Sequence, residues 1–113
     1  MGDIARIMRW DDATPVEALA GLMRRTLAQT EGVMIVEFRS EAGVVIPEHH
    51  HPHQQVGYVV SGLLELTLNG EPHRLNPGDS YAIPGDAPHS AVFVQQSIVI
   101  DCFSPPREDY QTG

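Results

Sequence analysis

The chain has 113 residues, enough for one domain and too few for a second core, and its 42% hydrophobic and 19% charged content is that of a globular protein. A formal net charge of -8 repels phosphate backbones, and no apolar run approaches the roughly 20 residues of a membrane helix, so neither nucleic acid nor a membrane is an expected partner. All seven basic residues are Arg, which excludes a lysine Schiff base, and the single Cys102 excludes an internal disulfide.

Met1 to Trp10 mixes Asp3, Arg6 and Arg9 with Ile4, Ile7 and Met8, lacking the basic start and apolar centre of a secretory signal, so a cytoplasmic location is expected. Pro15 to Leu22 reads as a short helix, with Thr14 as N-cap and Pro15 at the first position. Beyond it, alternating apolar and polar residues or short apolar runs predict strands over Leu22 to Thr30, Val33 to Ser40, Gln55 to Val60, Leu63 to Leu68, Pro72 to Leu75, Ser80 to Ile83, His89 to Val94 and Ile98 to Phe103. Asn69-Gly70 is a hairpin signal, since both central residues of a type I′ turn need positive φ, and Ser61-Gly62 and Pro77-Gly78 mark two further turns. Ser104-Pro105-Pro106 should end the last strand and release a short tail. The expectation is an all-β antiparallel barrel, one domain over 1–113, with its core at about 20–104 and the tail at 105–113. Apolar residues on both sides of Leu63 to Leu68 suggest burial of both faces, and hence a homodimer.

Residues 49 to 55 read HHHPHQQ, so four of the six histidines fall within five positions. In an extended segment His49, His51 and Gln55 project to one side while His50 and Gln54 project to the other. A first-row metal needs donors from several directions, which one strand cannot supply. His89, opening a strand after the turn Pro84-Gly85-Asp86-Ala87-Pro88, is the candidate from a second strand. His53 shares the parity of the proposed ligands, but Pro52 should swing it outward, leaving it to support the ligands from behind rather than bind the ion, and His73 after the hairpin should be solvated. Alternation sets Cys102 on the face opposite Asp101 and Phe103, where it reads as a small buried filler. Tyr58 and Tyr81 fit either a cavity wall or the core.

These residues resemble the motifs of the cupin family, whose fold is a double-stranded β-helix, or jelly-roll barrel. The first motif, Gly, five residues, His-x-His, three or four residues, Glu, six residues, Gly, is matched by Gly43, His49, His51, Gln55 and Gly62. The second, Gly, five residues, Pro-x-Gly, two residues, His, three residues, Asn, is matched by Gly78, Pro84, Asp86, His89 and Phe93. Asp86 stands for the turn Gly, and tolerates a left-handed conformation, while Phe93 removes a polar residue that binds no metal. Gln55 in place of Glu leaves a bound ion its full charge and so a stronger Lewis acid. The resemblance implies one divalent metal held by His49, His51, Gln55 and His89, a donor set open to nickel, zinc, iron or manganese.

Within the cupins, the run His-x-His-Pro-His-x-Gln and the segment 101–110 are similar to the KdgF family of pectin degradation proteins. That resemblance implies a small sugar acid as substrate, ring opening of 4,5-unsaturated uronates to 5-keto-4-deoxyuronate, and Asp101, Phe103 and Arg107 as the catalytic residues. Asp101 and Phe103 share a strand face, and an acid facing a barrel interior costs several kcal/mol unless something pairs with it. Arg107 offers a planar fork for a carboxylate; its structural alternative is an ion pair with Glu108 or Asp109. Two other classes use such a fold, an iron-dependent dioxygenase, distinguished by oxygen uptake, and a non-catalytic sugar-binding module, which would bind uronates without altering them.

Overall fold

The computed structural model describes residues 3–111. Ten strands run antiparallel to their neighbours: β1 (Val16–Leu19), β2 (Leu22–Gln29), β3 (Met34–Ser40), β4 (Val45–His49), β5 (Gln54–Ser61), β6 (Leu64–Leu68), β7 (Glu71–Leu75), β8 (Ser80–Ile83), β9 (His89–Phe93) and β10 (Ser97–Ser104). They form a six-stranded sheet in the order β1-β2-β3-β10-β5-β8 and a four-stranded sheet in the order β4-β9-β6-β7. The inner faces meet in one core of Leu22, Met34, Val36, Phe38, Val59, Leu64, Leu66, Ile83, Ala91, Phe93, Val99 and Phe103. Alternation is the reason: in β10, Ser97, Val99, Asp101 and Phe103 are buried while the residues between them are partly exposed. Among the described residues no helix is long and apolar enough to cross a membrane.

The turn chemistry fits the sequence. Asn69 and Gly70 hold φ of 50° and 84° between β6 and β7, Asp86 takes 64°, and Gly62 takes 91°. At Gly62 a Cβ would also strike Ser97 and the carbonyl of Gln96, so both conformation and space call for glycine there.

Five expectations are corrected. Pro15 to Leu22 is not helical: Val16–Leu19 is an edge strand, with Val16 opposite Arg24, and Gly21 turns the chain at φ 84°. A helix of two turns is marginal alone, whereas pairing with β2 satisfies the same backbone groups. β4, absent from the predicted strands, pairs with β9 despite Pro47, a residue suited to an edge strand. The tail is not released. Arg24 Nη1 donates to the Asp109 carbonyl at 3.3 Å, Thr26 Oγ1 donates to the Tyr110 carbonyl at 2.5 Å, and the Tyr110 ring meets Phe38 and Phe103 edge-on. Cys102 does face away from Asp101, as expected, but it is only half-buried, because the outer side of β10 is open around Val56, Tyr58 and Ile100. Nor is β6 apolar on both sides: its inner Leu64 and Leu66 are buried while Glu65 and Thr67 face out, whereas the outer face of β5 carries exposed Val56, Tyr58 and Val60.

Candidate metal centre and cavity

Two register relationships assemble the histidines. His49 lies opposite His89 in the β4–β9 ladder, so two imidazoles project from neighbouring strands of the smaller sheet. The loop between β4 and β5 is then tied to the turn before β9, because the Asp86 amide donates to the His51 carbonyl at 2.7 Å. His51 is carried in between. One nitrogen each of His49, His51 and His89 lies within 4.8 Å of the others, an arrangement positioned to bind a metal ion.

Backbone carbonyls orient each ring. Nδ1 of His49 faces the Pro47 carbonyl at 3.0 Å, Nδ1 of His51 the His53 carbonyl at 3.1 Å, and Nδ1 of His89 the Ala87 carbonyl at 2.9 Å. A carbonyl only accepts, so each Nδ1 carries a proton and Nε2 is the nitrogen left to face the cluster. Burial pushes His51 down to about 4, with the nearby Arg107, His89 and His49 acting in the same direction, and burial also lowers His89. Near neutrality both rings are therefore uncharged, the form that binds a metal.

Gln55, on β5, brings its Oε1 to 3.2 Å from Nε2 of His51. Its amide also helps to lower Asp101, the effect of an N–H turned towards that carboxyl, and this orients the amide. Two acceptors thus point at one another, an unfavourable contact that a cation between them would convert into a favourable one. This donor set of three imidazoles and an amide oxygen fits a divalent first-row ion.

A cavity of about 330 Å³ opens beside the cluster, lined by His49, Gln55, His89, Tyr81, Asp101 and Arg107 at its polar end and by side chains such as Phe38, Leu64, Phe93 and Val99 deeper in the barrel. Asp101 is buried; burial raises its carboxyl to about 6 against the downward pull of Tyr81, Gln55 and Arg107. Phe103 is 1% exposed and packs edge-on against His51, with centroids 5.8 Å apart. Arg107 stacks over the Tyr110 ring at 3.9 Å, and its Nε and Nη2 bond Asp109 at 3.2 and 2.8 Å, so the structure contains both the expected cavity position and the alternative ion pair.

The remaining expectations divide. His50 points away, near Asp86, and His73 is exposed, as the sequence implies. His53 is not swung outward, but it stands behind the ligands as expected: it is buried beside His51, with Nε2 3.5 Å from Glu108 and its carbonyl orienting the His51 ring. Tyr58 lies half-exposed on the outer face, whereas Tyr81 lines the cavity and donates to Asp101 Oδ1 at 2.5 Å. Sequence reasoning left Tyr81 undecided and passed over Gly57, although a glycine inside a strand pattern signals a close approach of other atoms.

This fold and histidine arrangement define a cupin, and the chain belongs to the cupin family, whose domain it matches over residues 36–99. It is similar to the pectin degradation protein KdgF of Dickeya dadantii, with 34% identity over 103 residues that cover 88% of this chain and 94% of the relative. The structure of KdgF from Halomonas sp. superposes with a TM-score of 0.88 at 36% identity, over 94% of this chain and 98% of the other. An RmlC-like cupin from Shewanella frigidimarina gives a TM-score of 0.89 at 32% identity, over 97% and 99% of the two chains.

Proposed function

We propose that this protein opens the ring of a 4,5-unsaturated uronate, giving the linear 5-keto-4-deoxyuronate, with one divalent metal bound by His49, His51, Gln55 and His89. The observation that carries this reading is the convergence of a histidine cluster, a buried acid and an arginine on one cavity of about 330 Å³. That volume is at the small end of ligand sites and suits a single sugar ring rather than a polymer. The relative named for pectin degradation supports the same substrate class.

Ring opening is an isomerisation with no net change of atoms. The hydroxyl on C1 loses its proton, the bond between C1 and the ring oxygen breaks as the aldehyde forms, and C4 gains a proton as the ketone forms at C5. Asp101 is the proton carrier, a buried carboxyl on the cavity wall. Arg107 pairs with the substrate carboxylate, and its stack on Tyr110 limits its freedom. Phe103 closes one wall and excludes water from the reacting face. A bound divalent ion, nickel, zinc, iron or manganese, supplies Lewis-acid polarisation of substrate oxygens, undiminished by the neutral Gln55.

The test is elemental analysis of the purified protein, then the ultraviolet absorbance of a lyase-generated unsaturated uronate. Loss of the absorbance with the metal-loaded protein, abolished by chelation and restored by metal, is the expected result. Replacement of Asp101 by Asn should lower turnover by roughly 10²- to 10⁴-fold without changing metal content. Tight uronate binding with the absorbance decaying only as in buffer overturns the proposal in favour of a binding module, and oxygen consumption with reconstituted iron overturns it in favour of a dioxygenase.

A further inference from the structure

We infer that Gly57 and Tyr81 form a positioning pair that sets the carboxyl of Asp101 for its reaction, an inference that rests on the ring-opening reading above. The three residues form one row across the larger sheet. Gly57 lies opposite Tyr81 in the β5–β8 ladder and opposite Asp101 in the β10–β5 ladder, and alternation turns all three positions to the inner face. Neighbouring strands are about 4.8 Å apart, so Tyr81 and Asp101 stand roughly 10 Å apart across the sheet. The phenol bridges that gap by lying over the backbone of β5. It can do so only where β5 has no side chain, since a Cβ on Gly57 would fall onto Cζ of Tyr81 and Oδ1 of Asp101.

A glycine in the interior of a strand weakens the strand and contributes no packing, so its place here is explained by the ring that crosses it. The phenol hydroxyl donates to Asp101 Oδ1 at 2.5 Å, and the Gln55 amide is turned towards the same carboxyl. The phenol's bond to one oxygen, made from across the sheet, restricts rotation of the carboxyl about χ2. Tyr81 is a neutral donor, so it orients the acid without adding a charge to a cavity lined by Arg107 and beside the histidine cluster. Gly57 and Tyr81 act through Asp101 and are positioning residues.

The experiment uses the metal-loaded full chain and compares Tyr81→Phe, Gly57→Ala and the double variant with the wild type. A charge-assisted hydrogen bond corresponds to about a ten- to hundredfold effect on turnover. Tyr81→Phe is expected to lower kcat by that factor with KM and metal content unchanged. Gly57→Ala displaces the ring and lowers kcat at least as far, and the double variant is no slower than Gly57→Ala alone, because the contact is already lost. A wild-type kcat in Tyr81→Phe, or losses that multiply in the double variant, overturns the inference. Proton NMR supplies a readout independent of turnover: a downfield, slowly exchanging phenolic resonance present in the wild type, absent in Tyr81→Phe and moved upfield in Gly57→Ala. If the wild type leaves the uronate unchanged, the ring-opening reading fails by itself, while that resonance still decides the arrangement. Its absence from the wild type overturns the pair.

Discussion

The amide oxygen of Gln55 faces the bare Nε2 of His51 at 3.2 Å, with no proton available to lie between them. Two lone pairs at this distance repel, so the contact is strained until a cation is bound. Chelation is therefore expected to lower the unfolding midpoint, and saturation with metal at about 100 times its Kd to restore roughly 2.7 kcal/mol, read as a concentration-dependent midpoint in calorimetry. Replacing Gln55 by Glu should keep the metal, seen by elemental analysis, yet lower turnover about tenfold or more. The new charge weakens the Lewis acid, and the amide turned towards Asp101 is replaced by a second carboxylate. Wild-type turnover in Gln55→Glu would remove the neutral ligand from the argument.

Arg107 and Asp109 set a second expectation. The guanidinium is bound through Nε and Nη2, which leaves Nη1 free for a substrate carboxylate. Replacing Arg107 by Ala should raise KM about ten- to hundredfold, since a charge-assisted pair is lost. The Asp109 side chain is 58% exposed, and an exposed ion pair contributes at most about 1 kcal/mol. Asp109→Ala is accordingly expected to raise KM by no more than about fivefold, with the Tyr110 stack still orienting the arginine. Steady-state kinetics on both variants checks the order; an Asp109 effect as large as that of Arg107 would contradict it.

The parts of the site legible in the sequence are those written in local spacing. His49, His51 and Gln55 share a side because alternation puts them there, and Asn69-Gly70 declares its hairpin by the need for positive φ. β1 was obscured because Val16–Leu19 is mostly exposed and so lacks a buried alternating face, while Glu17, Ala18 and Leu19 favour helix when read alone. The docking of the tail was illegible for another reason: Arg24 meets Asp109 and Thr26 meets Tyr110 across more than 80 positions, where no periodicity reaches. Tyr81 and Asp101 likewise become neighbours only through the strand order β10-β5-β8.

Phe103 illustrates a residue with two duties. The family resemblance implies a catalytic role for it, yet it is 1% exposed and packs against both His51 and Tyr110, so it belongs equally to the core. Phe103→Ala should cost about 3–5 kcal/mol of stability, which would mask any effect on chemistry. Phe103→Leu keeps most of the volume and should cost on the order of 1 kcal/mol. Denaturant unfolding separates the two variants, and a kcat that falls in Phe103→Leu while the fold persists assigns the ring a role in the cavity beyond packing.

On the opposite side of the larger sheet Trp10, the only tryptophan, is held by Glu37. The indole N–H donates to Glu37 Oε1 at 2.8 Å, and the guanidinium of Arg25 lies 3.6 Å from the centre of the indole ring system. Burial pushes the Glu37 carboxyl up, but the bonds from Arg39 and Trp10 and the charges of Arg39 and Arg25 outweigh it and hold the carboxyl below its ordinary 4.5. Because the folded state prefers the ionised form, this contribution is fully present above the unfolded value and is lost as pH falls through the lower folded value. Trp10 emission is therefore expected to stay constant through the range in which an ordinary glutamate titrates and to shift to the red only at lower pH, as the indole loses its charged acceptor. In Glu37→Gln the acceptor oxygen remains but cannot titrate. The acid step in the fluorescence should then disappear; its persistence at the same pH would assign the transition to another group.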